Sequence, residues 1–214
     1  MAVGDSSAQA YAARDPDVRL MLEVRDDRAE AFEELMLRYQ NRVVTILEHL
    51  VHDRTQAEDL AQEVFLRVYR ARKNYVPGSK FSTWLFTITN NVAANSLRSK
   101  SRRREVNVES RGSGPQGVVR IDEMALAASG QLPARQLDKA EMREVVRLAL
   151  DSLNERQRMA VLLSKFEEMS YADIAQTMEL SPQAIKSLLS RARERLREVL
   201  EPYLERGQRP EVEP

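Results

Sequence analysis

The chain of 214 residues contains no cysteine. That absence excludes a disulfide scaffold, a thiolate nucleophile, a zinc site with cysteine ligands and a cysteine-held iron–sulfur cluster. Its apolar runs are only a few residues long, whereas a membrane helix needs roughly 20 apolar residues. Residues 1–17 are polar and lack the apolar core of a secretory signal. We therefore expect a cytoplasmic protein with no membrane insertion.

The net charge of zero conceals an uneven distribution along the chain. Residues 1–65 carry 7 basic and 14 acidic side chains, residues 66–104 carry 10 basic and none acidic, and residues 105–214 carry 16 and 19. The acid-free segment 66–104 also holds five of the 12 aromatic residues. Cations follow phosphates and aromatic rings stack on exposed bases, so this segment favours single-stranded nucleic acid. A solvated basic face is the alternative interpretation of the charges alone.

Apolar residues recur at steps of three and four, and no strand pattern is present, which predicts an all-α fold. The first half predicts helices at about 29–51, 56–73 and 82–102, with Thr55–Glu58 as a capping box and Ser82 as the cap of the third helix. Residues 105–135 hold four of the seven glycines and predict a flexible linker, with a short helix at Ile121–Ala128 as the alternative. The fold class expected is thus two small helical domains, 14–104 and 136–206, joined by that linker.

The second domain carries the most informative stretch, a predicted helix-turn-helix. Helices resume near Asp138, and Asn154–Gln157 is typical of a helix N-terminus. The apolar residues between these points have the spacing of a buried face: Met142, Val145, Val146, Ala149, Leu150 and Leu153. Ser170 then caps a short helix at 171–178, and Ser181 with Pro182 begins a second helix that runs to about Leu200.

Polar side chains are left on the outer face of this second helix. They are Gln183, Lys186, Ser187, Ser190, Arg191 and Arg193. Such side chains near the start of a helix can reach base edges and phosphates in a major groove. An ordinary helical hairpin with a solvated basic face is the alternative.

Three separate motifs resemble the extracytoplasmic-function sigma factors, the small two-domain sigma subunits of bacterial RNA polymerase. Asp59 to Tyr69 resembles the core-binding helix of their region 2. Lys80 to Arg98 resembles the helix that opens the duplex and reads the minus-10 element. Leu153 to Arg158 and Ser170 to Leu196 resemble region 4, which reads the minus-35 element. The resemblance covers about 27–104 and 138–200, in the family's order.

The resemblance implies an RNA polymerase sigma factor that selects promoters and opens DNA without being an enzyme. Its implied partners are core RNA polymerase, duplex minus-35 DNA, single-stranded minus-10 DNA and an anti-sigma factor. The implied core-binding residues are Asp59, Gln62 and Glu63. The implied minus-10 residues are Lys80, Phe81, Thr83, Trp84, Asn90, Asn91, Asn95, Arg98, Lys100, Arg102 and Arg103. The minus-35 residues are the six polar residues of the second helix given above.

Two other functions remain open at this point. A stand-alone helix-turn-helix regulator would explain residues 170–196 but not the acid-free segment. An enzyme acting on nucleic acid would need a metal or nucleophile cluster, and the sequence shows none. His49 and His52 lie three residues apart but lack nearby third and fourth ligands, so we predict neither a metal site nor a cofactor.

Overall fold

The computed structural model describes residue 11 and residues 13–110 and 133–206, with side chains at 11, 13–102 and 141–205. Within those ranges the secondary structure is helical and no strand occurs, which confirms the all-α prediction. The first helices are α1 (Pro16–Arg25), α2 (Ala29–Val51), α3 (Arg54–Ala71), a 3₁₀ turn (Arg72–Asn74) and α4 (Phe81–Ser110). The second group is α5 (Pro133–Asp151), α6 (Glu155–Lys165), α7 (Tyr171–Met178) and α8 (Pro182–Arg206).

Helix α2 is the centre of the N-terminal domain and packs against α1, α3 and α4. Its buried stripe follows the predicted helical spacing, with Leu35, Tyr39, Val43 and Leu47 all buried. The helix ends at His52, which adopts a left-handed conformation with φ of 58°. The next residue, Asp53, accepts a hydrogen bond from the Gln56 amide at 2.9 Å. Asp53 therefore caps α3, and the predicted capping box at Thr55–Glu58 is wrong.

The start of α4 is capped by a residue that lies far away in the sequence. One carboxylate oxygen of Asp15 accepts from the amides of Asp17 and Val18 at the start of α1, at 2.9 and 3.4 Å. The other oxygen accepts from the Phe81 amide at 2.9 Å. Because α4 begins at Phe81, the prediction of Ser82 as its cap is wrong. A single carboxylate thus joins the N-termini of two helices.

The C-terminal domain packs α5, α6 and α7 around α8. Asn154 and Gln157 form the reciprocal capping box that the sequence indicates, at 2.9 and 3.2 Å. Two side chains of the predicted buried face of α5 are instead exposed, Met142 by 45% and Val146 by 38%. The rest of the protein covers only a narrow stripe of α5, which contains Val145, Ala149 and Leu150. Met142 and Val146 lie beside that stripe and stay in contact with solvent.

Both helices that border the predicted linker extend into it. Helix α4 continues to Ser110, and α5 begins at Pro133, ahead of the predicted start near Asp138. The remaining part of that prediction, including the alternative short helix at Ile121–Ala128, lies outside the described residues. Among the helices that the structure describes, none has the length and apolar character needed to cross a lipid bilayer.

The two domains pack directly on each other. Helix α4 contacts α7, and α2 contacts α6. Buried side chains of both domains, from Val18 in α1 to Ala192 in α8, belong to one contiguous apolar cluster. The arrangement places α4 against α7, the first helix of the predicted helix-turn-helix.

The double cap at Asp15 gives a stability prediction. Asp15→Ala removes the acceptor for three amides at two helix N-termini and should lower the free energy of unfolding by about 2 kcal/mol. Urea unfolding followed by circular dichroism measures this loss. Asp26→Ala is the control, because Asp26 is exposed and makes only a 3.6 Å ion pair with Arg25; its effect should stay within about 0.5 kcal/mol. Equal effects of the two substitutions would contradict the capping role.

Candidate nucleic-acid interface

Helices α7 and α8 form the predicted helix-turn-helix, and each has a serine cap. The Ser170 hydroxyl accepts from the Asp173 amide at 3.2 Å, and the Ser181 hydroxyl accepts from the Ala184 amide at 3.1 Å. Between the helices Glu179 adopts a left-handed conformation with φ of 54°, which turns the chain. Ile174 of α7 and Ile185 of α8 are fully buried and hold the two helices at a fixed angle.

The outer face of α8 is open to solvent, as the sequence predicts. Five of its six candidate residues are exposed and Ser187 is half-buried; the exposed ones are Gln183, Lys186, Ser190, Arg191 and Arg193. Ser187, Gln183 and Arg191 line a shallow groove together with Arg156 at the start of α6. Arg156 is an exposed cation that sequence reasoning missed, because no spacing pattern connects it with residues about 30 positions later.

The first turn of α4 is much less accessible than the sequence suggests. Phe81 is buried and packs edge-on against Tyr39, with ring centroids 5.2 Å apart. Thr83 is also buried. Trp84 is half-buried, with its ring 4.9 Å from that of Tyr75. Lys80 is exposed but forms an ion pair with Asp173 of α7 at 3.1 Å.

The middle and end of α4 present polar and basic side chains. Asn91 and Asn95 are exposed, and Asn90 is half-buried. Arg98 is exposed and donates to the Asn95 side-chain oxygen at 2.7 Å. Lys100 and Arg102 are exposed one turn further on, whereas the side chain of Arg103 lies outside the described part of the chain. Amides and cations therefore share this end of α4, a combination suited to bases and phosphates.

The candidate core-binding residues lie together along α3. Asp59 and Gln62 are exposed, and Glu63 is half-buried with its carboxylate 2.7 Å from Arg67 Nε. The hydrogen bond from Arg67 lowers the pKa of Glu63 below its ordinary value, despite a small opposing effect of burial. Leu66, exposed by 49%, follows them one turn later on the same helix. Sequence reasoning missed Leu66, although its spacing of four from Gln62 and three from Glu63 places it on the same outer face.

Arg158 in α6 is buried, and every part of its guanidinium has a partner. Nε donates to the Leu150 carbonyl at 2.8 Å, and Nη2 donates to the carbonyls of Asp151 and Leu153 at 2.9 and 3.0 Å. Nη1 reaches the N-terminal domain, where it donates to the His49 carbonyl at 2.9 Å and contacts His52 Nε2 at 2.5 Å. Since a guanidinium only donates, His52 Nε2 is the acceptor in this contact.

The two histidines take part in this interface. Burial lowers the pKa of His52, an effect that Arg158 reinforces and Asp151 opposes. Burial also lowers the pKa of His49, whose ring lies 6.3 Å from that of Phe166. Within the described residues no group of three or more histidine or acidic side chains is arranged to hold a metal ion.

Comparisons with known proteins match both domains to one family. Residues 35–103 match sigma-70 region 2, and residues 143–196 match sigma-70 region 4. The RNA polymerase sigma-H factor of Pseudomonas aeruginosa is 32% identical over 196 residues, which cover 89% of this chain and 97% of the relative. The RNA polymerase sigma factor CarQ of Myxococcus xanthus is 35% identical over 176 residues, covering 82% and 92%. The sigma-E factor of Escherichia coli K12, an ECF sigma factor, is 29% identical over 195 residues, covering 89% and 97%.

This chain is an extracytoplasmic-function sigma factor of the sigma-70 family. Two solved structures agree with the fold. CnrH, in complex with the cytosolic domain of CnrY, aligns with a TM-score of 0.62 at 21% identity over 87% of this chain and 98% of CnrH. The sigma factor RpoE of Bartonella quintana, in complex with the anti-sigma factor NepR, aligns with a TM-score of 0.57 at 28% identity over 81% and 98%.

The comparisons favour a sigma factor over a stand-alone helix-turn-helix regulator. The region 2 match includes residues 66–103 of the acid-free segment, which a stand-alone helix-turn-helix regulator does not explain. The sigma factor acts in transcription initiation with RNA polymerase and DNA. The region 4 match ends within α8 and includes its exposed polar face.

Proposed function

We propose that this sigma factor divides promoter recognition between its domains, with α8 reading the minus-35 duplex and α4 capturing the unpaired minus-10 strand. The exposed polar face at the start of α8 is the observation that carries the proposal. It stands at the N-terminus of a helix with a side-chain cap, on a helix-turn-helix whose inner face is buried. This is the geometry with which such motifs enter a major groove.

In the minus-35 complex the contacts divide into two kinds. Gln183 and Lys186 lie in the first turns of α8, where a recognition helix meets base edges. Ser187, Ser190, Arg191 and Arg193 continue that face, and Arg156 adds a cation from α6 beside it. We assign Arg156 and Arg191 to phosphates, because cations on both sides of a recognition helix fix its register on the duplex.

In the proposed minus-10 complex, the side-chain amides of α4 lie in the middle of the helix and most of its cations lie towards its C-terminal end. Asn90, Asn91 and Asn95 can bind the edges of bases taken out of the stack, with Trp84 as a stacking surface. Lys80, Arg98, Lys100, Arg102 and Arg103 hold phosphates along the strand. Phe81 and Thr83, both buried, support the start of the helix in this structure. Unpairing costs a few kcal/mol per base, and binding to the freed strand offsets that cost without catalysis by this subunit.

The proposed partners follow the same division. Core RNA polymerase binds the α3 face that contains Asp59, Gln62 and Glu63, so the protein acts in the cytoplasm, where polymerase meets DNA. An anti-sigma factor is a further partner, supported by the RpoE relative, which was solved with the anti-sigma factor NepR. We assign residues 14–104 to the region 2 domain, 105–135 to the linker and 136–206 to the region 4 domain.

Transcription in vitro tests the proposal directly. Core polymerase with this protein should initiate at a discrete set of sites in fragmented genomic DNA, and core alone should not. The double variant Asp59→Ala, Gln62→Ala should weaken initiation at every site by lowering affinity for core. Glu58→Ala is the matched control, because it removes an exposed carboxylate of the same helix that is already paired with Arg54 at 2.7 Å. Start sites that do not depend on the protein would contradict the proposal.

Direct readout by α8 predicts a change of sequence preference. Gln183→Ala or Lys186→Ala should reduce discrimination at one or two minus-35 positions, by about 10- to 100-fold if a good bidentate base contact is lost. A promoter library randomised over the minus-35 element, transcribed with core polymerase, measures this change. Arg197→Ala, at an exposed position further along α8, is the control and should leave the preferred sequence unchanged. Uniform weakening on every sequence would contradict direct readout.

The basic end of α4 predicts a change in salt dependence. Changing Arg98, Lys100, Arg102 and Arg103 together to Ala should weaken promoter binding by the holoenzyme and reduce the slope of log affinity against log salt by about 3 to 4. Binding titrations between low and moderate salt give the slope. The control has four arginines of the N-terminal segment changed to Ala: Arg14, Arg19, Arg25 and Arg28. An unchanged slope in the α4 variant would exclude the phosphate role.

A further inference from the structure

Both histidines of the chain lie at one contact, where the end of α2 meets α5 and α6. The sequence contains two histidines, His49 and His52. Histidine is the only side chain whose ordinary pKa places its change of charge between about pH 5 and 8. Other ion pairs between the domains, such as Arg42–Glu167, consist of arginine, lysine and carboxylate groups. The end of α2 is therefore the place where the packing can respond to a change of pH near neutrality.

The two ring nitrogens of His52 face groups of opposite character. Nε2 lies 2.5 Å from Arg158 Nη1 and accepts a hydrogen bond from it, because a guanidinium cannot accept. The proton of the neutral ring is therefore on Nδ1, which lies 3.3 Å from Asp151 Oδ1. Arg158 and Asp151 thus select one tautomer of the neutral ring and use both of its nitrogens.

A proton on His52 removes this fit. Protonated Nε2 becomes a donor that faces a donor of Arg158, so contact between two like charges replaces the hydrogen bond. Arg158 is held in place, because its other donors bind the carbonyls of Leu150, Asp151 and Leu153. The Asp151 carboxylate acts in the opposite direction, since it attracts a protonated ring. The His52 ring is the group that has to move, and its movement loosens the contact between α6 and α2.

The surroundings of both histidines favour their neutral form. The cations around them are Lys100 of α4, Arg147 of α5, and Arg156 and Arg158 of α6. The carboxylates are Glu48 of α2, Asp151 of α5 and Glu155 of α6. Burial is the largest effect on both rings and lowers the pKa of each, and the neighbouring arginines lower it further against the opposing effect of the carboxylates. The His52 side chain is still 45% exposed and lines a cleft of about 750 Å³, so a proton can reach it in the packed protein.

We propose that the packing of the C-terminal domain on α2 is sensitive to pH, and that a proton taken up by His52, assisted by His49, weakens it. Because packing favours the neutral rings, it is strongest above the ordinary histidine pKa of about 6.5 and weakens as the pH falls below that value. The ratio of separated to packed molecules changes by up to about tenfold for each unit by which packing lowers one histidine pKa. Acidification then acts on the sigma factor itself, without a second protein. The inference does not rest on the functions proposed for α4 and α8.

Single-molecule energy transfer in the full-length free protein tests the proposal. The chain has no cysteine, so Asn41→Cys in α2 and Lys165→Cys in α6, both exposed, can carry two dyes whose emission does not depend on pH. Each label lies within two residues of the Arg42–Glu167 pair, so packed molecules give high transfer. Between about pH 7.5 and pH 5.5 the ratio of low-transfer to high-transfer molecules should rise by about threefold or more, and reversibly. A ratio that stays constant or falls on acidification would overturn the proposal.

Glutamine variants identify the groups responsible. Glutamine offers Arg158 an acceptor but does not titrate, so His52→Gln should remove most of the pH dependence of transfer. His49→Gln is the matched comparison and should retain the larger part, because Arg158 binds the His49 backbone carbonyl and not its ring. The double variant should show no pH dependence. Dependence that persists in the double variant, or an equal loss in the two single variants, would overturn the role of His52.

Two further measurements separate loosening of the contact from acid unfolding. Dyes at Asn41→Cys and Glu58→Cys, both exposed positions of the N-terminal domain, should give the same transfer at both pH values, and the helical circular dichroism signal should not change. A change in either would show that acid unfolds the domain and would overturn the proposal.

The unlabelled wild-type protein provides a test that needs no folded variant. The carbon-bound ring protons of His52, followed by NMR against pH, should give a pKa below the ordinary value of about 6.5. A pKa at or above 6.5 would overturn the proposal, because packing would then favour the protonated ring.

Discussion

The buried guanidinium of Arg158 is the constraint on which the packing of the two domains depends. A permanent charge inside a protein is stable only when its donors are satisfied. Three of its hydrogen bonds end on carbonyls at the end of α5 and in the following turn, within its own domain. The others end on His49 and His52 at the end of α2. The same side chain therefore supports the C-terminal domain and its contact with the N-terminal one.

This packing makes the two helices that we propose to bind DNA unequally accessible. Helix α8 presents its polar face to solvent, whereas the first turn of α4 lies against α7. The interface between the domains combines ion pairs with a shared apolar cluster, and both lie on the α4 side of the molecule and not on the polar face of α8.

Helix caps were predicted well in the C-terminal domain, where the interacting residues are neighbours in sequence. Asn154 with Gln157, Ser170 with Asp173 and Ser181 with Ala184 all form the caps that their spacing indicates. The caps of α3 and α4 were assigned to the wrong residues. Spacing cannot show that Asp15 binds an amide 66 residues later, because that contact exists only after α1 packs beside α4. Met142 and Val146 were misassigned for the same reason, since neighbouring helices decide which part of an apolar face is covered.

By itself the sequence determined the helical class, the two-domain division and the polar face of α8, because helical period and local caps act within a few residues. The sequence also carried the family resemblance, in its motifs. Only the tertiary structure decided which of the candidate α4 residues are reachable. Phe81 and Thr83 are candidate binding residues by type and position, yet both are buried. Tyr39 packs against Phe81, and Thr177 of α7 lies against Thr83. Burial depends on what packs against a residue, and for these two positions the neighbours come from distant parts of the chain.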